Sequence, residues 1–218
     1  EYRRQRQMCI RDRSRASDVV AWAASQTFPV VWIVKPREGS YLSRGMHVVT
    51  MSRRDVATPA ALDAWVLDRV VDRDCRRPAA RRGPECDRRK NVTFQRYVHR
   101  TALVRGRKFD VRVFALVAPD GGAYVYGDGY VRTCTTPYTV EDLADLSAHL
   151  TNDAVQRSLK GYGKHEDCNK LSFAEFQRAL DAERLERPEP DRSRRIDFAN
   201  DVWPEIERVT AASSAPLI

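Results

Sequence analysis

The chain has 218 residues, with 38 Lys and Arg against 30 Asp and Glu, a formal net charge of +8. With 42% hydrophobic and 31% charged residues it reads as a folded domain rather than a disordered tail. No run of about 18 apolar residues occurs, which excludes a helical membrane span, and residues 1–13 lack the apolar stretch of a secretory signal.

Residues 1–13 (EYRRQRQMCIRDR) carry five Arg and two acids without any period. They read as an artefactual or disordered leader, with a genuine basic arm as the alternative, and the fold is expected to begin at residue 14. Residues 30–34 (VVWIV) form a continuous apolar run, expected as a buried strand ending at Lys35-Pro36. A polar loop with Gly39 and Gly45 follows, then a returning strand over 47–50. Thr58 and Pro59 then open a helix as N-cap and first helical residue, with Leu62, Trp65 and Val66 as its apolar stripe. Residues 72–90 hold eight Lys or Arg, four acids and two prolines, the pattern of a basic surface insertion.

Strands are expected over 92–98 and 109–117. In the second, Phe109, Val111, Val113, Ala115 and Val117 would share one face, and Asp110, Arg112, Phe114 and Leu116 the other. A turn at 119–122 and a Gly127-Asp128-Gly129 link would join two more strands, 124–126 and 130–132. Beyond residue 137 the chain turns helical. Ser172 and Glu175 match a capping box, and 201–212 gives a helix with Val202, Ile206 and Val209 inward. Residues 184–195 read as a charged, proline-broken loop. Hairpin strands with helices to one side give an α+β fold, mostly antiparallel.

A lysine ending a strand before a glycine loop is an arrangement that binds phosphate: loop N–H groups cradle the oxygens and the ammonium adds charge. An edge lysine on a surface hairpin is the plain alternative. Neither a G-x-x-x-x-G-K-S/T loop nor a G-x-G-x-x-G fingerprint is present. Asp110 and Arg112 lie two apart on a strand, either as a solvated face or, since Phe114 and Leu116 share that face, as covered charges that need partners. Arg132, in a strand two hairpins on, is a candidate to lie near this face, and two arginines on a sheet floor suit a carboxylate or phosphate gaining charge. Thr151 or Asn152 is expected to cap a short helix. His47, His99, His149 and His165 are too dispersed for a metal site. The five cysteines (Cys9, Cys75, Cys86, Cys134, Cys168) show no CxxC pair and read as reduced thiols.

Taken in order, several stretches resemble the tubulin–tyrosine ligase family. They are residues 32–36 (WIVKP), 43–45 (SRG), 94–98 (FQRYV), 107–112 (RKFDVR), 128–133 (DGYVRT), 137–138 (PY) and 149–156 (HLTNDAVQ). Residues 161–169 (GYGKHEDCN) are most similar to the tyrosine ligase itself, and the resemblance spans about residues 28–210. It implies an ATP-grasp fold whose two lobes would fall at 14–98 (with the insertion 72–90) and 99–218, the C-terminal part of the fold being missing. It implies ATP and Mg2+ as cofactors, a tubulin acidic C-terminal tail as acceptor and a free amino acid, Tyr or Glu, as donor. Lys35 and Gly45 would hold the phosphates, and Gln95, Arg96 and Val98 would frame the adenine. Lys108 and Asp110 would meet the sugar and phosphate region, Thr151 and Asn152 would complete the nucleotide site, and Arg112 and Arg132 would hold the acyl-phosphate and carboxylate.

Two departures stand out. Ser43 replaces the family's usual glycine. The Mg2+ ligands, an Asp-Phe strand and a Glu-x-Asn motif, are expected downstream of residue 218; Asp197-Phe198 has no Glu-x-Asn after it. These 218 residues are therefore expected to be inactive alone. Tyrosination of detyrosinated α-tubulin is the expected activity, with polyglutamylation or glycylation, or a non-catalytic tubulin-binding module, as alternatives. No nucleic-acid or membrane partner is expected. The implied location is the cytoplasm, at microtubules or cilia.

Overall fold

A computed structural model describes residues 16–27, 29–36, 46–69, 92–119, 122–187 and 195–214. The leader 1–13, the glycine loop 37–45 with Gly45, and the insertion 72–90 lie outside the described residues. The chain divides into two compact units, residues 1–101 with 139–146 and residues 102–138 with 147–218.

The first unit is a three-stranded antiparallel sheet, β1 (Val30–Pro36) between β2 (His47–Met51) and β3 (Val92–Arg96). Val30, Trp32 and Val34 alternate onto one face of β1, where Met51 and Phe94 join them. Helix α1 (Ala16–Ala23) brings Val19 and Ala23 to this core, and α2 (Pro59–Arg69) brings Leu62, Trp65 and Val66. Trp32 meets Trp22 edge-on at 4.8 Å and Phe94 at 5.9 Å between ring centroids, the T-shaped geometry that aromatic quadrupoles favour. Thr58 Oγ1 accepts from the Ala61 amide at 3.1 Å, so the expected N-cap forms. Helix α1 is an addition to the elements expected from sequence.

The second unit is a four-stranded antiparallel sheet in the order β4-β5-β8-β9. These strands are Leu103–Val104, Arg107–Arg112, Tyr130–Thr133 and Lys170–Leu171; β6 (Ala115–Val117) and β7 (Ala123–Val125) form a separate ribbon. Arg105 and Gly106, with φ of 50° and 68°, make the two-residue turn between β4 and β5. Both torsions are positive, as a type I′ hairpin requires. Two short helices, α3 (Leu146–His149) and α4 (Asp153–Gln156), precede a 3₁₀ turn at Asp167–Asn169. Two longer helices follow, α5 (Phe173–Glu186) and α6 (Trp203–Ser214). Phe176 and Ala179 of α5 are buried with Val104, Val131, Leu171 and Phe198 in one core, on the face that also carries Phe109 and Val111.

Three expectations change here. The strand expected over 109–117 breaks at Val113 and Phe114, and Ala115, Leu116 and Val117 are all exposed. The ribbon β6–β7 thus leaves Phe114, Leu116, Tyr124 and Tyr126 open, so cover by Phe114 and Leu116 was the wrong reason to seek partners for Asp110. The strands β7 and β8 do not pair with each other, because β8 lies against β5: Arg112 faces Tyr130, and a Cβ on Gly129 would sit 2.2 Å from the Arg112 carbonyl oxygen. Finally, a π turn at Phe198–Val202 precedes α6. Trp203 joins Val202 and Ile206 against the core while Val209 stays 36% exposed.

The capping box forms as expected. Ser172 Oγ accepts from the Glu175 amide at 3.3 Å, and the Ser172 amide donates to Glu175 Oε2 at 2.8 Å. Ser172→Ala should lower unfolding stability by about 1 kcal/mol, read from the shift in a urea midpoint at constant slope.

Candidate functional site

In the first unit, Lys35 and Gln95 sit on the sheet face opposite Trp32 and Phe94. Lys35 Nζ donates to Gln95 Oε1 at 2.7 Å. The contact is diagonal across adjacent strands, since Ile33 rather than Lys35 is the direct partner of Gln95. Arg96 closes β3 and is exposed; Val98 follows and is 59% exposed.

The second unit holds the remaining described candidates. Lys108, Asp110 and Arg112 alternate onto the β5 face opposite the apolar core, and Arg132 pairs directly with Asp110 across β8. The contact is bidentate: Arg132 Nε donates to Asp110 Oδ1 at 2.9 Å and Nη2 to Oδ2 at 2.8 Å. Two parallel charge-assisted bonds fix both planes. Burial opposes the Arg132 charge, but the Asp110 hydrogen bonds and charge outweigh it and hold the pKa above its ordinary value. Thr151 Oγ1 also donates to Asp110 Oδ2. Asn152 caps α4, its Oδ1 accepting from the Ala154 amide at 2.9 Å. Arg112 is exposed and forms no ion pair with a described residue.

The two arginines are therefore unlike. Arg132 is fixed by a carboxylate, and Arg112 is an open cation at the strand end. The arrangement is a charged floor on two adjacent strands that can meet an oxyanion with one held and one exposed guanidinium. Asp153, beside it in sequence, accepts from Tyr162 Oη at 2.7 Å. Burial and this carboxylate push the Tyr162 hydroxyl up to about 12. Asp197 caps the π turn and pairs with Arg195 at 3.0 Å. Among the described residues no three His, Cys, Asp or Glu side chains gather as a metal site.

A buried network under this floor escaped the sequence reading. Arg107 is 2% exposed, and its Nη1 donates to Glu166 Oε2 at 2.9 Å while Nη2 donates to Oε1. Thr133 Oγ1 donates to the same carboxylate at 3.0 Å. Asn169 Nδ2 donates to the Thr133 carbonyl at 3.1 Å, and Asn169 Oδ1 accepts from the Gly163 amide at 2.8 Å. One signal could have found it: Arg107 shares strand parity with Phe109 and Val111, so it points to the apolar side and needs a buried partner.

The tubulin-tyrosine ligase family model matches residues 3–208. The chain belongs to the tubulin-tyrosine ligase family. Its similar relatives include a "Probable tubulin polyglutamylase TTLL9" of Rattus norvegicus, 38% identical over 93 residues, which are 42% of this chain and 20% of that protein. The "Tubulin polyglutamylase ttll6" of Danio rerio is 32% identical over 98 residues, 42% of this chain and 13% of the relative. The "Tubulin monoglycylase TTLL3" of Mus musculus is 32% identical over 132 residues, 60% of this chain and 12% of the relative. The chain thus spans a fifth or less of these proteins' lengths. None of these three family relatives is named a tyrosine ligase. Residues 161–169, which suggested tyrosination, include Glu166 and Asn169, whose side chains tie that turn to the sheet.

Proposed function

We propose that the protein containing this chain is an ATP-dependent ligase that joins an amino acid to an acidic tubulin tail, with glutamate as donor and glycine as the second choice. Tyrosine, the first expectation from sequence, has less support, since the similar relatives carry polyglutamylase and glycylase names. The observation that carries the reading is the Asp110–Arg132 pair with Thr151 on the polar sheet face of a tubulin-tyrosine ligase family chain.

ATP would supply the phosphoryl group that turns an acceptor carboxylate into an acyl-phosphate. On this chain, Lys35 would give a compact charge to phosphate, oriented by Gln95. Arg132, held by Asp110, would present its guanidinium in one fixed orientation, and Arg112 would close on the oxyanion from the strand end. Such preorganised charge lowers the barrier because no reorganisation is needed when charge develops. The ligands expected for Mg2+ are not among the described residues.

The test supplies the complete protein with tubulin, ATP and radiolabelled Glu, Gly or Tyr in separate reactions. ATP-dependent label from Glu is the expected result, and label from Tyr alone would reject the donor assignment. No label from any donor, with tubulin still bound, would favour the non-catalytic binding module.

A further inference from the structure

Three strands bring one row of charges to the polar face of the second unit's sheet. Asp110 of β5 faces Arg132 of β8, and on its other side Arg132 faces Lys170 of β9. Arg132 and Lys170 are therefore like charges in direct cross-strand register, an arrangement that destabilises a sheet until an anion joins it. The nearby carboxylates do not fill that place. Both Asp110 oxygens bond Arg132, and Oδ2 also accepts from Thr151. Asp153 attracts Lys170, yet its Oδ1 accepts from Tyr162 at 2.7 Å and its Oδ2 pairs with Arg157. Lys170 forms no salt bridge with a described residue. Arg132 uses Nε and Nη2 for Asp110, and its Nη1 bonds no described group. On this face and on α4 beside it, Arg112, Arg132, Lys170 and Arg157 outnumber Asp110 and Asp153. Lys170 Nζ stands 5.6 Å from the Tyr130 ring centre, so the ammonium lies along the floor that Tyr130 shares with Arg112.

We propose that Lys170, with the open Nη1 of Arg132, holds the side-chain carboxylate of the donor amino acid and so selects glutamate over glycine. The inference rests on the proposed ligase function and adds a specificity-determining residue to it. Arg112 and Lys170 lie on strands either side of β8, two strand spacings or about 9.5 Å apart across the sheet. An oxyanion on which Arg112 closes therefore leaves Lys170 to the far end of the donor. Glutamate extends a second carboxylate to that end, where it relieves the repulsion between Lys170 and Arg132. Glycine has no group to place there and leaves the repulsion in force. Glutamine fills the same space without the charge, so it gains less from the two cations.

Isothermal titration of the complete protein with L-glutamate and with L-glutamine, each in the presence of a non-hydrolysable ATP analogue, tests this without a ligation step. Glutamate should bind about tenfold more tightly than its neutral isostere. Lys170→Met should abolish that preference, and Lys170→Arg, which keeps the charge, should retain it; circular dichroism checks the fold of both. No glutamate binding, equal affinity for the two amino acids in the parent, or the parent's preference surviving in Lys170→Met would overturn the assignment. In ligation assays Lys170→Met should lower kcat/KM for glutamate about tenfold more than for glycine, through KM, and an equal loss for both donors would also overturn it. Glutamate ligated without a preference that depends on Lys170 rejects this inference alone. Glutamate bound through Lys170 with nothing ligated rejects the ligase reading alone.

Discussion

Arg107→Ala should destabilise the second unit by about 3 kcal/mol, because it leaves the buried Glu166 carboxylate with only the half-exposed Arg105 guanidinium, 3.1 Å from its Oε1, as counter-charge. Both side chains are nearly inaccessible, at 2% and 3% exposure, and Thr133 and the Cys134 carbonyl share the Arg107 donors. Denaturant unfolding with a probe in the second unit would measure the loss. A double replacement, Arg107→Met with Glu166→Leu, should recover most of it, since an apolar pair of similar volume leaves no orphan charge. A double variant as unstable as the single one would show that the hydrogen bonds to Thr133, and not the charge pair, carry the effect.

The same pair sets a pH dependence. Burial alone would raise the Glu166 pKa, but the Arg107 hydrogen bond and charge outweigh it and hold the folded value below the ordinary 4.5. A depressed carboxylate contributes stability that is present above its unfolded pKa and lost as pH falls through its folded one. Stability should therefore decline as pH drops below about 4.5, and the Arg107→Met, Glu166→Leu chain should decline less steeply there.

The second large effect is on the proposed ligation. Asp110→Asn in the complete protein should lower the ligation rate about 100- to 1000-fold, while changing stability by roughly 1 kcal/mol or less. The neutral amide can accept only one of the two Arg132 bonds, so the guanidinium loses its fixed plane. Arg132→Lys should fare no better, since an ammonium cannot reproduce the bidentate contact. Rates and a parallel unfolding curve separate the site from the fold. Full activity in Asp110→Asn would remove this pair from the chemistry.

The readable parts of the fold were those with local signals. The Thr58 cap and the Ser172–Glu175 box form where their chemistry places them because each partner lies three residues away, and the apolar run at β1 forms a buried strand because its composition by itself demands burial. The break at Val113 was not readable. The period of two runs unbroken through Phe109–Val117 in the sequence, and only the close approach of Gly129 to the Arg112 carbonyl shows β8 claiming that strand's end. The site divides the same way. Asp110 and Arg132 were both singled out as charges on one sheet, yet their direct pairing depends on a register that links residues 22 apart. Glu166 and Asn169 lie in the polar stretch 161–169, whose sequence carries no local sign of burial. Their burial follows from a 3₁₀ turn with Cys168 at φ 51° and Asn169 at φ 54°, a conformation no local pattern announced.

The chain path has a practical outcome for anyone recombining relatives. Residues 139–146 belong with the first unit although both flanking stretches belong with the second. A single crossover at residue 101 would therefore carry an eight-residue piece of the donor's first unit into the chimera. Swaps that preserve each unit's own packing require paired junctions on either side of that excursion.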